Sequence, residues 1–410
     1  MEPVVSPAPI RRVGIVFSGG PAPAANAVIS AAALRFIDDG VEVIGLLDGY
    51  RHLQDFRPDA PLREGEHFLR LTAELVSGIR TLKPILLRTS HADPSAGIGC
   101  HDDLADPDRN RRILAVHRGL EALGLDALVS VGGDETLRTA NHLLHIADAV
   151  PGIPRIRVVH LPKTIDNDYF GIDWTFGFTS AVDFAAREIR NIGADAQSTS
   201  SWFVLELMGR QTGWLTYAAG IAGEATKMIS VEDIDGEFDV DACGEELALL
   251  MEARARAGKP YGVVCVAEGL ASRLPRAGGS EVDALGYSTF GAVNVGAQLA
   301  AAMERARERH GEPRVRVRSK QIGYEARCAE PVAFDVMLGS QLGVGAHRAL
   351  VTEGLDGVMI SVRAQLELVF VPFSDLIDPA TMRTRVRFID RDSDFYRLAR
   401  SLEYQTKEGR

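Results

Sequence analysis

The sequence predicts a doubly wound α/β fold built on parallel sheets, and three observations predict it. Short β-branched runs alternate with helical stretches over most of the chain. Most of those runs are continuously apolar, as strands covered on both faces must be. Glycine-rich turns follow several of them, at the points where a strand feeds a helix.

Taken in order, 13–17 (VGIVF) reads as a buried strand, 18–23 as a loop and the alanine-rich 26–37 as a helix. A second strand covers 41–47, and further strands are expected at 127–131, 156–160, 203–207, 262–267 and 358–362. Helices are expected at 180–192, 240–256 and 293–310. Linker-like composition is confined to 148–154 and 272–281, the second an exposed excursion rich in Gly, Pro and Ser. Residues 1–10 read as a flexible arm, with neither the basic start nor the apolar core of a secretory signal.

The 410 residues suffice for two to three domains with sizeable cores. No stretch approaches the roughly 18 uncharged apolar residues of a membrane helix. With 45 Lys and Arg against 56 Asp and Glu, the formal charge of −11 argues against a nucleic-acid binder, whose footprint is a basic surface. It leaves room for an anionic substrate held by a few converging cations. Cys100, Cys243, Cys265 and Cys328 lack C-x-x-C spacing and read as reduced packing residues of a cytoplasmic protein.

Ligands of such sheets bind beyond the carboxyl ends of strands, so the loops after strands are the candidate sites. In the first, Ser18-Gly19-Gly20-Pro21-Ala22-Pro23, the glycines let backbone approach an anion at a helix N-terminus, and they equally suit a tight turn. The second, Gly132-Gly133-Asp134-Glu135-Thr136, pairs glycines with two carboxylates, which suits Mg2+ beside a polyphosphate. Asp134 or Thr136 as a helix cap explains one of these residues but not the paired glycines.

The third, 161–168, sets Lys163 among Thr164, Ile165, Asp166, Asn167 and Asp168. One carboxylate can serve as a base toward a hydroxyl and the lysine can neutralise charge on a transferring phosphoryl group; a polar surface turn has the same composition. Met208-Gly209-Arg210 and the segment from Arg318 to Tyr324 and Arg327 supply further cations, Arg being the fork that matches phosphate oxygens. Glu268, after the strand at 262–267, is a candidate for binding sugar hydroxyls or a plain turn residue.

Together and in this order, S-G-G-P-A-P, G-G-D-E-T, P-K-T-I-D-N-D, M-G-R, A-E-G and G-Y-x-x-R resemble the motifs of the phosphofructokinase family, over about three-quarters of the chain. The resemblance implies two Rossmann-like domains with the active site in the cleft between them, and a homodimer or homotetramer without nucleic-acid or membrane partners. The expected boundaries are 11–179 plus 328–365 for a phosphoryl-donor and Mg2+ domain, and 180–327 plus 366–410 for a fructose 6-phosphate domain.

It further implies that Asp166 takes the proton from the sugar's 1-hydroxyl and that Asp134 organises Mg2+. Gly19, Gly20, Gly133, Lys163 and Arg88 fall on the donor side. Thr164, Ile165, Asp166, Asp168, Met208, Gly209, Arg210, Glu268, Tyr324 and Arg327 fall on the sugar-phosphate side, joined by Arg318 from a neighbouring subunit.

ATP-using bacterial members usually carry glycine where this chain has Glu135 and Lys163. Unit charges ~4 Å apart at an effective dielectric near 20 interact by about 4 kcal/mol, nearly three decades in affinity. Glu135 is therefore expected to repel a nucleotide's α-phosphate while Lys163 favours compact pyrophosphate, as in the diphosphate-dependent branch. The chain departs from the family pattern at Ala24, His91, Ser201-Trp202 and Cys328-Ala329.

Overall fold

The computed structural model describes residues 9–275, 293–313 and 315–404. Most of the expected arm and residues 276–281 of the expected excursion lie outside these. The chain divides into two compact units, one made of Met1–Thr164, Tyr169–Thr179 and Arg327–Val386, the other of Ile165–Asp168, Ser180–Ala326 and Arg387–Arg410.

The first unit is built on seven strands, β1 (Arg12–Phe17), β2 (Glu42–Leu46), β3 (Phe68–Leu71), β4 (Ala127–Gly132), β5 (Arg157–Pro162), β10 (Val358–Arg363) and β11 (Glu367–Pro372), in the order β11-β10-β5-β4-β1-β2-β3. The five central strands are parallel and both edges antiparallel. From β1 the chain goes first to β2 on one side and later to β4 on the other. The strand order therefore reverses between β1 and β4, where such sheets place their ligands.

The second unit has four parallel strands, β6 (Trp202–Leu207), β7 (Lys227–Ile229), β8 (Gly262–Ala267) and β9 (Val317–Ile322), ordered β7-β8-β6-β9. All six residues of both β6 and β8 are buried. Trp202 and Val204 join one core with helices Val240–Arg256 and Val295–Arg309, while Phe203, Leu205 and Leu207 join another with helices Phe178–Thr199 and Trp214–Gly223. Two covered faces account for the unbroken apolar runs, each fully buried Val or Leu contributing about 1.5–3 kcal/mol.

Three differences from the sequence reading stand out. The strand expected at 156–160 runs on through Pro162, so the loop that follows starts at Lys163. β3, β7 and β11 are additional; β3 and β11 lie at sheet edges and β7 has three residues, too few to show a pattern. Residues 366–386, expected in the sugar-phosphate domain, belong to the first unit because β11 pairs along its length with β10. Among the described residues no helix is long and apolar enough to cross a membrane.

Candidate functional site

Three loops leave adjacent strands of the first unit side by side. Ser18 N donates to Val131 O at 2.9 Å and Lys163 N to Gly132 O at 2.9 Å, so the loops after β1, β4 and β5 are laced together at their roots. Gly19 has φ +85°, a left-handed conformation that disfavours any side chain. Its N–H donates to Ser90 O at 2.9 Å and its carbonyl accepts from Thr89 Oγ1 at 2.5 Å, which fixes the loop's shape. Ala24, standing where the family pattern has glycine, is also left-handed at φ +64°. Alanine here holds a backbone conformation that favours glycine, at a cost of about 1–2 kcal/mol.

Lys163 is only 4% exposed. Its ammonium lies 3.2 Å from the position of a Cβ on Gly19 and 5.8 Å from the Phe17 ring centroid. At Gly20 the corresponding neighbour is Arg327, with Nη1 3.2 Å from the Cβ position. Arg327 belongs to the first unit, its guanidinium against the loop after β1.

Gly133 is the N-cap of helix Asp134–Ala149 and no side chain caps it, so neither Asp134 nor Thr136 is there to serve as a cap. Asp134 and Glu135, both half-buried, instead occupy the first turn, where the helix dipole favours negative charge. Asp93, which sequence reasoning missed, is held by Arg138 at 2.9 Å; burial pushes its carboxyl up against Arg138's opposing charge, and Asp134 pushes it further. Arg88 is engaged elsewhere, on Asp48 at 2.7 Å.

Beneath this end of β4 and β5 runs a buried chain of hydrogen bonds. His160 Nε2 meets the Tyr169 hydroxyl at 3.1 Å, that hydroxyl donates to Gly132 O at 3.2 Å, and His160 Nδ1 meets Ser130 Oγ at 3.3 Å. Burial holds the imidazole neutral, its pKa pushed down to about 3, with Lys163 adding to the effect.

The chain crosses from the first unit to the second between Thr164 and Ile165. Thr164 is anchored in the first unit by Thr175 Oγ1, which donates to its carbonyl at 2.7 Å. Ile165, Asp166 and Asn167 are buried and Asp168 half-buried, with Asn167 left-handed at φ +55°. Arg387 braces this bend: Nη2 donates to Asn167 O at 2.6 Å and its own N–H to Asp168 O at 2.8 Å. Arg387 lies over the Trp214 ring at 4.6 Å and accepts from Trp214 Nε1 at 2.8 Å. No local sequence signal marks it, since it acts on a loop 220 residues away.

In the second unit the loops after β6 and β8 interlock. Gly209, at φ +134°, donates to Glu268 Oε1 at 3.2 Å and accepts from Gly269 N at 3.1 Å. Met208 is buried and Arg210 exposed. Buried Glu232, also missed, takes Gly213 N at 3.0 Å, Ser230 Oγ at 2.7 Å and Ile389 N at 3.3 Å, tying down the far end of the Met208–Gly213 turn. The Arg318 guanidinium lies 5.5 Å from the Phe203 ring centroid, its Nη1 buried without a hydrogen bond. Tyr324 is 81% exposed. Trp202, where many members have an arginine nearby, is core.

Two α/β units with glycine-led, cation-bearing loops at the ends of parallel strands define an anion-handling enzyme of the phosphate-transfer kind. The sequence pattern described as Phosphofructokinase matches residues 12–350. A pyrophosphate--fructose 6-phosphate 1-phosphotransferase of Thermotoga maritima is 31% identical over 95% of this chain and 90% of its own length. An ATP-dependent 6-phosphofructokinase of Chloroflexus aggregans is 32% identical over 96% of each chain. The solved pyrophosphate-dependent phosphofructokinase of Nitrosospira multiformis shares the fold, with a TM-score of 0.68 at 17% identity over 96% of this chain and 92% of that one. The chain belongs to the phosphofructokinase family.

Proposed function

We propose that this phosphofructokinase uses pyrophosphate, transferring a phosphoryl group reversibly to the 1-hydroxyl of fructose 6-phosphate to give fructose 1,6-bisphosphate and phosphate. The observation that carries the donor assignment is the buried Lys163 ammonium against Gly19, with Glu135 on the neighbouring helix turn. A cation at the loop suits a small, dense anion, and a carboxylate beside it disfavours the longer nucleotide chain.

Among the described residues no three His, Cys, Asp or Glu side chains could hold a metal ion by themselves. Mg2+ keeps its waters and usually binds through one or two carboxylates together with substrate phosphates. Asp134 would hold it, with the Asp93 carboxyl near enough to feel the charge of Asp134. When bound, the ion would neutralise charge on the donor's oxygens.

Asp166 accepts the proton of the C1 hydroxyl as that oxygen attacks phosphorus; the P–O bond to the departing phosphate breaks in line. Lys163 and the Gly20 amide hold the spreading negative charge. Met208, Gly209, Arg210, Glu268 and Arg318 orient the sugar phosphate. General-base help of this kind is worth ~10²–10⁴-fold, so Asp166→Asn lowers turnover by about that factor while leaving sugar-phosphate binding in place.

A coupled assay with pyrophosphate or ATP as sole donor tests the reading. Turnover with pyrophosphate and none with ATP is expected. The reverse result overturns it in favour of the ATP-dependent enzyme, whose relatives are equally similar.

A further inference from the structure

We propose that Tyr169 and His160 are positioning residues, whose hydrogen-bonded chain clamps the bend between Lys163 and Tyr169 to the root of the loop after β4. It rests on the roles given above to Lys163, Asp134 and Asp166, and holds for either phosphoryl donor. Lys163 N donates to Gly132 O at 2.9 Å, and the Tyr169 hydroxyl donates to the same oxygen at 3.2 Å. Residues 164–168 between them include Asp166. The stretch that carries the lysine and the proposed base therefore leaves this carbonyl and returns to it. Just beyond Gly132 stands Asp134, the candidate metal ligand.

The chemistry of the groups fixes every proton in the chain. A carbonyl oxygen only accepts, so Tyr169 spends its one hydroxyl proton on Gly132. His160 Nε2, 3.1 Å from that hydroxyl, must then carry the N–H, which leaves Nδ1 to accept from Ser130 Oγ at 3.3 Å. Ser130 Oγ in turn accepts from the Tyr50 hydroxyl at 3.4 Å. All four side chains are buried. The His160 and Tyr169 rings are stacked with centroids 6.0 Å apart, and an antiparallel bridge to Val386 holds the Tyr169 backbone. Bonds in such a chain polarise one another, so each link strengthens the last, on Gly132. Packing alone does not call for it. Lys163 N–H already gives Gly132 O a partner, and apolar side chains at 160 and 169 would fill the space without burying an imidazole and a hydroxyl. What the second donor adds is orientation: it fixes the Gly132–Gly133 peptide, from which helix Asp134–Ala149 starts, against the root of the lysine's loop.

Steady-state kinetics and melting temperatures of wild type, Tyr169→Phe, His160→Leu, His160→Gln and the double variant of Tyr169→Phe with His160→Leu test this. Misplacing reacting groups by about 1 Å costs up to ~100-fold, so kcat is expected to fall ~10–100-fold in Tyr169→Phe, with the KM for fructose 6-phosphate within about threefold of wild type. His160→Gln keeps an N–H for Tyr169 and is expected to retain more kcat than His160→Leu. Because both residues act through one oxygen, kcat of the double variant is expected within about threefold of that of Tyr169→Phe. A folded Tyr169→Phe with kcat near wild type, or with kcat and the sugar-phosphate KM damaged alike, overturns the proposal, as does a double variant whose losses multiply. Equal kcat values in the two His160 variants do so too, and these variants decide alone if Tyr169→Phe does not fold. If wild type turns over ATP and not pyrophosphate, the donor reading falls instead, and the same series run with ATP decides the clamp.

Discussion

The ammonium of Lys163 and the backbone of Gly19 occupy one spot, 3.2 Å separating Nζ from the place where a side chain on residue 19 would begin. With φ at +85° the position is also closed to other residues on backbone grounds. Gly19→Ala therefore carries two effects. The left-handed alanine costs about 1–2 kcal/mol of stability. The displaced ammonium raises the KM for the phosphoryl donor, by roughly tenfold if about 1.4 kcal/mol of binding is lost, and leaves that for fructose 6-phosphate unchanged. Urea unfolding reads the first effect and steady-state kinetics with each substrate varied reads the second; parallel rises in both KM values contradict the assignment of this loop to the donor.

Glu135 sits in the first turn of helix Asp134–Ala149, half-buried, one residue beyond the candidate metal ligand. If its carboxylate is what turns nucleotides away, Glu135→Gly admits ATP. About 4 kcal/mol of repulsion at ~4 Å sets the upper limit, nearly a thousandfold gain in kcat/KM for ATP. Activity with ATP measured in wild type and variant, with pyrophosphate activity alongside, checks this. An ATP rate unchanged by the substitution places the discrimination elsewhere.

Legibility followed physical range. β1, β4, β6 and β8 could be read because strands covered on both faces must be apolar throughout, and the loops behind them because several pair glycine with charged residues. β3 and β11 carry arginine, glutamate or half-exposed positions typical of sheet edges, so no run announced them. Arg327 was visible as a cation, but its partner was not: the short helix that ends there turns its side chain to the first unit while Tyr324 remains with the second. Arg387, Asp93 and Glu232 act on loops remote in sequence, through backbone carbonyls, a neighbouring arginine and backbone amides. Such partners leave no spacing to detect.

Arg387 makes the sharpest case for a positioning residue. It bonds the carbonyls of Asn167 and Asp168, flanking Asp166 on its C-terminal side, and is itself held over Trp214. Arg387→Met removes the guanidinium over the indole and its Nη2 donor to Asn167 O, while the backbone bond to Asp168 O stays. Losing one charged hydrogen bond costs about 1.5–3 kcal/mol, and much of that appears as misplacement of Asp166. kcat is expected to fall ~10–100-fold with the KM for fructose 6-phosphate altered by less than threefold. Arg387→Lys restores part of kcat. A variant with normal kcat and only a lowered melting temperature shows that Arg387 is structural alone.

His142 and His160 contribute to the response to acid. Burial pushes both imidazoles down to about 3, Arg138 adding to the effect at His142 and Lys163 at His160. Unfolded histidine titrates near 6.5, so as pH falls below that value the unfolded chain takes up protons that the folded chain refuses. Their stabilising effect is complete above about pH 6.5 and is lost toward pH 3, each histidine contributing a slope of up to about 1.4 kcal/mol per pH unit. Asp93 and Glu206, whose carboxyls burial pushes up, bind protons earlier in the folded state and oppose the loss at the acid end. The decline therefore sets in near pH 6.5 and reaches its full histidine slope by about pH 5. Urea unfolding at about pH 7 and about pH 5 measures it, and His142→Gln, which has no proton to gain, flattens the wild-type slope by one histidine's share. A slope identical in wild type and variant means that His142 is already protonated in the folded protein.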